Sequence, residues 1–338
     1  MNPAIVLFIV MFAAALTTAL AVLPITTRWC LRRGLVDSPG ERKLQPRPVP
    51  LAGGPAILAA MSLPLLTCLA VAYLLSGSPG PGSATTGFPA PIKDVLQTFI
   101  AVFANRGVEV ATVCAGAAGM FGLGLLDDKQ ELRPAVKFSG QLLVAMLVAA
   151  GGVRIASFVP ILSYAVTVLW IVTIVNAFNL VDNMNGLCAG LAFLGAACFV
   201  LLCAGSGDNF GALIAALACG ALLGFLPHNF PAAASYLGDS GSHLAGYFMA
   251  ILAILSNAHA PNHSTCAMFR PVIILAIPLL DLAWVVWVRS MARRPFYVGD
   301  RNHLSHFVVR RGLSPVAAVL VLWLAAAVAG GLALLCPW

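Results

Sequence analysis

Charge is scarce in this chain: Asp, Glu, Lys and Arg make up 9% of its 338 residues. Soluble domains carry roughly 25% charged residues, so an ordinary water-facing surface is excluded. Long polar stretches are missing too, which leaves no room for a second, soluble domain. The nine cysteines include no Cys-x-x-Cys pair, and most lie in apolar runs. Neither a disulfide framework nor a zinc site follows from them. Acids are the rarer sign, 12 against 19 Lys and Arg, and the +7 balance is divided among short loops. Topology accounts for that distribution better than nucleic-acid binding does.

Apolar residues fill the chain instead, 60% of it, with mean hydropathy +0.95. Runs long enough for the ~20 residues that a bilayer requires recur at 4–27, 51–75, 108–126, 135–153, 160–178, 186–204, 209–226, 241–257, 269–288 and 315–336. The first lacks a basic leading region and is too long for a cleaved signal, so it reads as a retained span. The expectation is an all-α, polytopic bundle of about ten transmembrane helices, one domain over 1–338. With odd-numbered spans running inward, four basic residues fall outside: Lys93, Arg106, Arg154 and Arg270. The other fifteen fall inside. The positive-inside rule then puts both termini on the periplasmic face. The largest outer loop, SGSPGPGSATTGFPAPIKD, reads as flexible from its Gly, Pro and Ser.

The polar clusters all fall on the inner side of that topology. They are ERKLQPRPVPLAGG (41–54), LLDDKQELRPAVK (125–137), NAFNLVDNMNGL (176–187), PHNFPAAASYLGDSGS (227–242) and RRPFYVGDRNHLSH (293–306). Five loops meeting at one membrane surface make a site, with site loops expected at 28–50, 127–137, 179–186, 227–240 and 289–314. Asp127 and Asp128 concentrate negative charge at a low-dielectric boundary, which a divalent cation or a raised carboxyl pKa relieves. Ordinary helix-end charge, offset by Lys129 and Arg133, is the plainer alternative. Lys137 follows Pro134 in the first turn of a helix, where it faces phosphate or snorkels to headgroups. Asn176, Asn179 and Asp182 step by three residues and form a slanted stripe that must avoid lipid. Interhelical hydrogen bonding would satisfy Asn176. Asp239 sits between Gly238 and Gly241, which permit close backbone approach, with Ser240 and Ser242 as hydroxyls and helix caps. Ser240 has no His-Asp partnership that would make it a nucleophile. Asn229 reaches Asp239 if the intervening proline segment folds back. His303 and His306, beside Arg301, suit a diphosphate, or the loop pairs with anionic lipid. Asp281 reads as structural, paired with a neighbouring helix or with Arg289.

In order and spacing, RKLQPRPVPLAGG, GLLDDKQELRPAVKFSGQ, NAFNLVD, HNFPAAASYLGDSGS and DRNHLSH resemble the polyprenyl-phosphate N-acetylhexosamine-1-phosphate transferases, over nearly the whole chain. The resemblance implies transfer of a sugar-1-phosphate from a UDP-sugar to undecaprenyl phosphate, with UMP leaving. It also implies a cytoplasmic, magnesium-dependent site (manganese being the alternative ion) in the bacterial inner membrane, and a homodimer as candidate assembly. Carried over by position, Asp127 and Asp128 match the acidic pair implicated in catalysis. Asn179 and Asp239 match the magnesium ligands, and Asp182 and Asn229 the nucleotide or sugar contacts. Lys43, Lys137 and Asn185 join the substrate-binding set, while Arg301, His303 and His306 match the loop near the diphosphate. Three departures stand out. Relatives' Asp-Gly-x-Asp-Gly is here Asp182-Asn183-Met184-Asn185-Gly186, His-x-His-His is His303-Leu304-Ser305-His306, and the His after Arg-Lys is Gln45. Absence of the triple histidine of the peptidoglycan branch favours UDP-N-acetylglucosamine as donor. An intramembrane aspartyl protease and a transporter are the alternatives. A protease needs no magnesium or UDP-sugar, and a transporter puts polar residues at the midplane and on both faces.

Overall fold

The structure is a computed structural model that describes residues 2–38, 47–76, 90–104, 106–156, 159–258, 265–295 and 302–336. Its helices are α1 (Pro3–Arg33), α2 (Gly53–Ser76), α3 (Ala90–Phe103), α4 (Gly107–Gln130), α5 (Pro134–Ala150), α6 (Pro160–Val181) and α7 (Leu187–Gly205). They continue with α8 (Asn209–Phe225), α9 (Gly238–Ala258), α10 (Thr265–Ile274), α11 (Ala276–Met291), α12 (Leu304–Arg310) and α13 (Pro315–Leu335). A two-stranded antiparallel ribbon, β1 (Val36–Asp37) with β2 (Val49–Pro50), follows α1.

Helix boundaries follow local chemistry. Asn2 accepts from the Ala4 N–H at 3.0 Å and Pro3 opens α1, while Gly34 closes it at φ +70° behind Arg32 and Arg33. Pro134 and Pro160 begin α5 and α6, where a missing N–H costs nothing. Every one of the ten expected spans falls on helix, the ninth on a broken pair. Met268–Ile274 and Ala276–Met291 meet at a 72° bend, because Pro278 offers no N–H to Ile274 and its ring crowds that carbonyl.

Seven of the described helices are long and apolar enough to cross a bilayer, eight if the bent pair is one span. α5, at 17 residues, falls short of that length, and α9 is outside the set. The chain is a multi-pass membrane protein, and its outward faces fit lipid: Ile5 and Ile9 on α1, Leu66 on α2, and Leu324 and Leu332 on α13 are exposed. α3 was not expected; it follows the proline-rich stretch and buries Phe99 and Val102.

The centre of the bundle is α8, apolar on all sides, and α9, polar in its first turns and apolar beyond them, both buried nearly throughout. α9 packs against α2, α4, α6, α7, α8 and α10. α8 lies against α1 so closely that a Cβ on Gly220 would meet the Phe12 carbonyl oxygen at 2.2 Å. Such backbone approach is how membrane helices gain dispersion contact without help from water.

Candidate active site

A cleft of about 390 Å³ opens at one end of the bundle, where the C-terminal ends of α4 and α6 meet the N-terminal end of α9. Asp37, Asp127, Asp128, Glu131, Asp182 and Asp239 line it, half of the chain's 12 acids. Asn179, Asn183, Asn185, Asn229 and Tyr236 share the wall.

Three helices bring their oxygens to one ammonium. Lys137 Nζ, in the first turn of α5, is 2.6 Å from Asp127 Oδ2 and 3.2 Å from Asp239 Oδ1. It also donates to Asn179 Oδ1 at 3.1 Å. The Asn179 amide nitrogen donates to Asp239 Oδ1 and, at 3.0 Å, to Ser242 Oγ. Lys137 thus joins the site at short range, and Asn179 and Asp239, expected as a metal pair, touch.

The adjacent acids divide their work. Asp127 Oδ1 accepts the Leu132 N–H at 2.7 Å, and its other oxygen faces Lys137. Asp128 accepts the N–H groups of Asp239 and Ser240 at 2.7 and 3.0 Å. The cap expected from Ser240 and Ser242 therefore comes from a carboxylate of another helix, favoured by the positive end of α9. The approach is tight, since a Cβ on Gly124 would meet the Asp239 carbonyl oxygen at 2.5 Å. A chain of backbone bonds aligns this junction: Tyr236 N to Pro50 O at 2.9 Å, Gly53 N to Tyr236 O at 3.0 Å and Gly54 N to Leu237 O at 3.1 Å.

The polar stripe of α6 separates by depth. Asn176 donates to Gln141 Oε1 at 2.6 Å, and Gln141 Nε2 lies 3.2 Å from His243 Nε2. These residues form a layer one turn beneath Lys137, Asn179 and Asp239, so Asn176 is an interhelical contact and no part of the cleft lining. Asp182 does line the cleft. Burial pushes its carboxyl up to about 8, and the charges of Asp239 and Asp128 add to the rise.

Asn229 lines the cleft, yet both ends of its amide are engaged: Oδ1 accepts the Gly186 N–H at 2.8 Å and Nδ2 donates to Ser235 O at 2.9 Å. It braces the turn at Gly186 more than it offers a free amide. Asn185 donates to Pro231 O at 3.2 Å. His303 and His306, ring centroids 6.1 Å apart, are not among the cleft-lining residues. His303 is buried, with Nδ1 2.8 Å from Asp281 Oδ2, while Asp281 Oδ1 accepts the Leu304 N–H at 2.7 Å. Asp281 therefore holds the histidine loop. Lys43, Gln45 and Arg301 lie outside the described residues.

Sequence reasoning passed over Asp37 and Glu131 as cleft residues. Both fall within the loops expected at the site, 28–50 and 127–137, and Glu131 sits four residues after Asp127. Its N–H bonds the Asp127 carbonyl at 2.9 Å with φ +46°.

Among the described residues, no three His, Cys, Asp or Glu side chains gather as metal ligands. The donor set nevertheless fits magnesium, which takes one or two carboxylates and completes its shell with water and phosphate oxygens. An ammonium already drawing on oxygens of Asp127, Asn179 and Asp239 shows the pull of this corner on a cation.

A family model for glycosyl transferase family 4 matches residues 110–257. The chain is similar to a probable undecaprenyl-phosphate N-acetylglucosaminyl 1-phosphate transferase of Bacillus subtilis, 30% identical over 94% of this chain and 81% of the relative. It is 31% identical to the decaprenyl-phosphate N-acetylglucosaminephosphotransferase of Mycobacterium tuberculosis, over 94% of this chain and 79% of that one. With the undecaprenyl-phosphate alpha-N-acetylglucosaminyl 1-phosphate transferase of Yersinia pestis the identity is 26%, over 91% and 79%. These relatives give no support to the protease or the transporter alternative.

Proposed function

Because the chain belongs to glycosyl transferase family 4, we propose that it moves N-acetylglucosamine 1-phosphate from a UDP-sugar to a polyprenyl phosphate, releasing UMP. The names of the relatives support both the sugar and the lipid. The observation that carries the chemistry is the convergence of Asp127, Asn179 and Asp239 on Lys137 in an acid-lined cleft at the bundle's end.

The lipid phosphate is already anionic, so it needs positioning more than activation. One of its oxygens attacks the sugar-bearing phosphorus. The bond from that phosphorus to the UMP oxygen breaks, and UMP carries away the electron pair. Asp127, with Oδ2 at the cleft, receives the proton of a monoprotonated lipid phosphate. Lys137 offsets charge growing on the transferred group. Asp128 fixes the first turn of α9 and with it the direction of Asp239. Asp182 and Asn185 contact the nucleotide or sugar, Lys43 binds substrate, and Arg301, His303 and His306 serve the diphosphate. Magnesium, or manganese in its place, supplies neutralisation of the diphosphate oxygens when held by Asn179 and Asp239.

The same reading sets ten spans in the bacterial inner membrane, with termini periplasmic and the cleft cytoplasmic. α5, α9 and the bent α10–α11 pair complete the count beyond the seven long apolar helices. The excess of Lys and Arg in the loops on the cleft side supports that orientation.

The test is UMP release by detergent-purified protein supplied with undecaprenyl phosphate and UDP-N-acetylglucosamine. Wild type turns over only with a divalent cation, and Asp239→Ala is inactive. Wild-type rates in Asp239→Ala, or release that persists in EDTA, overturn the assignment.

A further inference from the structure

Asn183, just past the end of α6, and Ser305, at the start of α12, touch each other. Ser305 Oγ donates to Asn183 Oδ1 at 2.6 Å, and Ser305 is 1% exposed. In this enclosed spot each side chain gives the other its partner.

The contact joins otherwise separate elements. Asn183 lines the cleft, and its Nδ2 donates to Leu180 O at 2.9 Å in the last turn of α6. Ser305 lies in the first turn of α12, whose start is held from the other side by Asp281 through His303 and the Leu304 N–H. α12 is thus gripped by α11 at one point and by the cleft wall at another.

We propose that Asn183 and Ser305 are a positioning pair, whose bond locks the histidine helix α12 onto the wall of the cleft that receives the UDP-sugar. The pair rests on the transferase reading above and acts through His303 and His306, fixing them before the donor arrives. Without that bond α12 keeps its packing on α11 and α13 but loses its tie to the cleft wall, and the donor must then restrain it on binding. The cost falls on donor recognition more than on turnover.

The experiment varies UDP-N-acetylglucosamine at saturating undecaprenyl phosphate. Ser305→Ala and Asn183→Gly each raise the donor KM about fivefold, the worth of one net hydrogen bond, with kcat less affected. The double variant also stays near fivefold, where independent effects would multiply to about 25-fold. Ser305→Thr, which keeps the hydroxyl, holds the KM near that of wild type. If Ser305→Ala fails to fold, Ser305→Cys, of similar size and a weaker donor, takes its place with the same expected direction. A wild-type KM in the Ser305 variant, or multiplication in the double, overturns the pair. Absence of UMP release by wild type itself defeats instead the transferase reading.

Discussion

Replacing Lys137 by methionine keeps the length and packing of the stem and removes only the charge. The ammonium lies 2.6 Å from Asp127 and 3.2 Å from Asp239, two carboxylates on different helices. Removing one partner from a buried ion pair costs about 3–5 kcal/mol, since the other charge is left without compensation. Lys137 is 18% exposed and Asp127 7%, so solvent screens part of the field and the lower end, about 3 kcal/mol, applies. Two of the oxygens it draws on, Asp239 Oδ1 and Asn179 Oδ1, are those proposed for the divalent ion, which makes Lys137 a competitor for it. The variant in EDTA should therefore unfold several degrees below wild type in a detergent thermal melt. Magnesium at about 100 times its Kd should return about 2.7 kcal/mol by mass action, a larger response than wild type gives. Turnover should nonetheless fall by about 100-fold or more, as when a group that stabilises transition-state charge is lost. Wild-type stability of Lys137→Met in EDTA, or a magnesium response no larger than that of wild type, refutes the reasoning.

Asp128→Ala should lower unfolding stability by about 2 kcal/mol, because two N–H groups at the start of α9 lose a charged acceptor. An unchanged melting midpoint in detergent shows that the cap contributes nothing. Asp182 offers a test by pH. Its carboxyl is raised to about 8 in the folded protein from 3.8, so the folded state binds the extra proton and stability falls as pH rises between those values. In EDTA the thermal midpoint should drop from about pH 5 to about pH 8, and Asp182→Asn, neutral throughout, should flatten the drop. Parallel slopes for the two proteins contradict the raised carboxyl.

Much of the site was legible because lipid makes polar residues conspicuous. Asp127, Asp128, Asn179, Asp182 and Asp239 stood out against apolar helices, and one cleft now contains them all. Roles were harder to read than membership. Adjacent acids look alike in a sequence, and only the direction of α9 distinguishes Asp128, which caps it, from Asp127, which meets Lys137. Asn176 continues the period of Asn179, but depth along the helix separates them, and depth depends on where α5 and α9 cross. Asp281 was expected to be structural, and its bond to His303, 22 residues on, follows from how α12 returns over α11. The number of spans also depends on tertiary geometry, since composition alone does not reveal a 72° bend or a 17-residue helix.

Asp239 stands in the first turn of α9, the helix enclosed by six others among the described residues. Its oxygens are therefore mounted on the part of the molecule least able to move. A donor and a long lipid cannot be admitted by opening that helix without breaking the core. Exchange of substrate and product falls to the rim, while the charged floor keeps one shape from one turnover to the next.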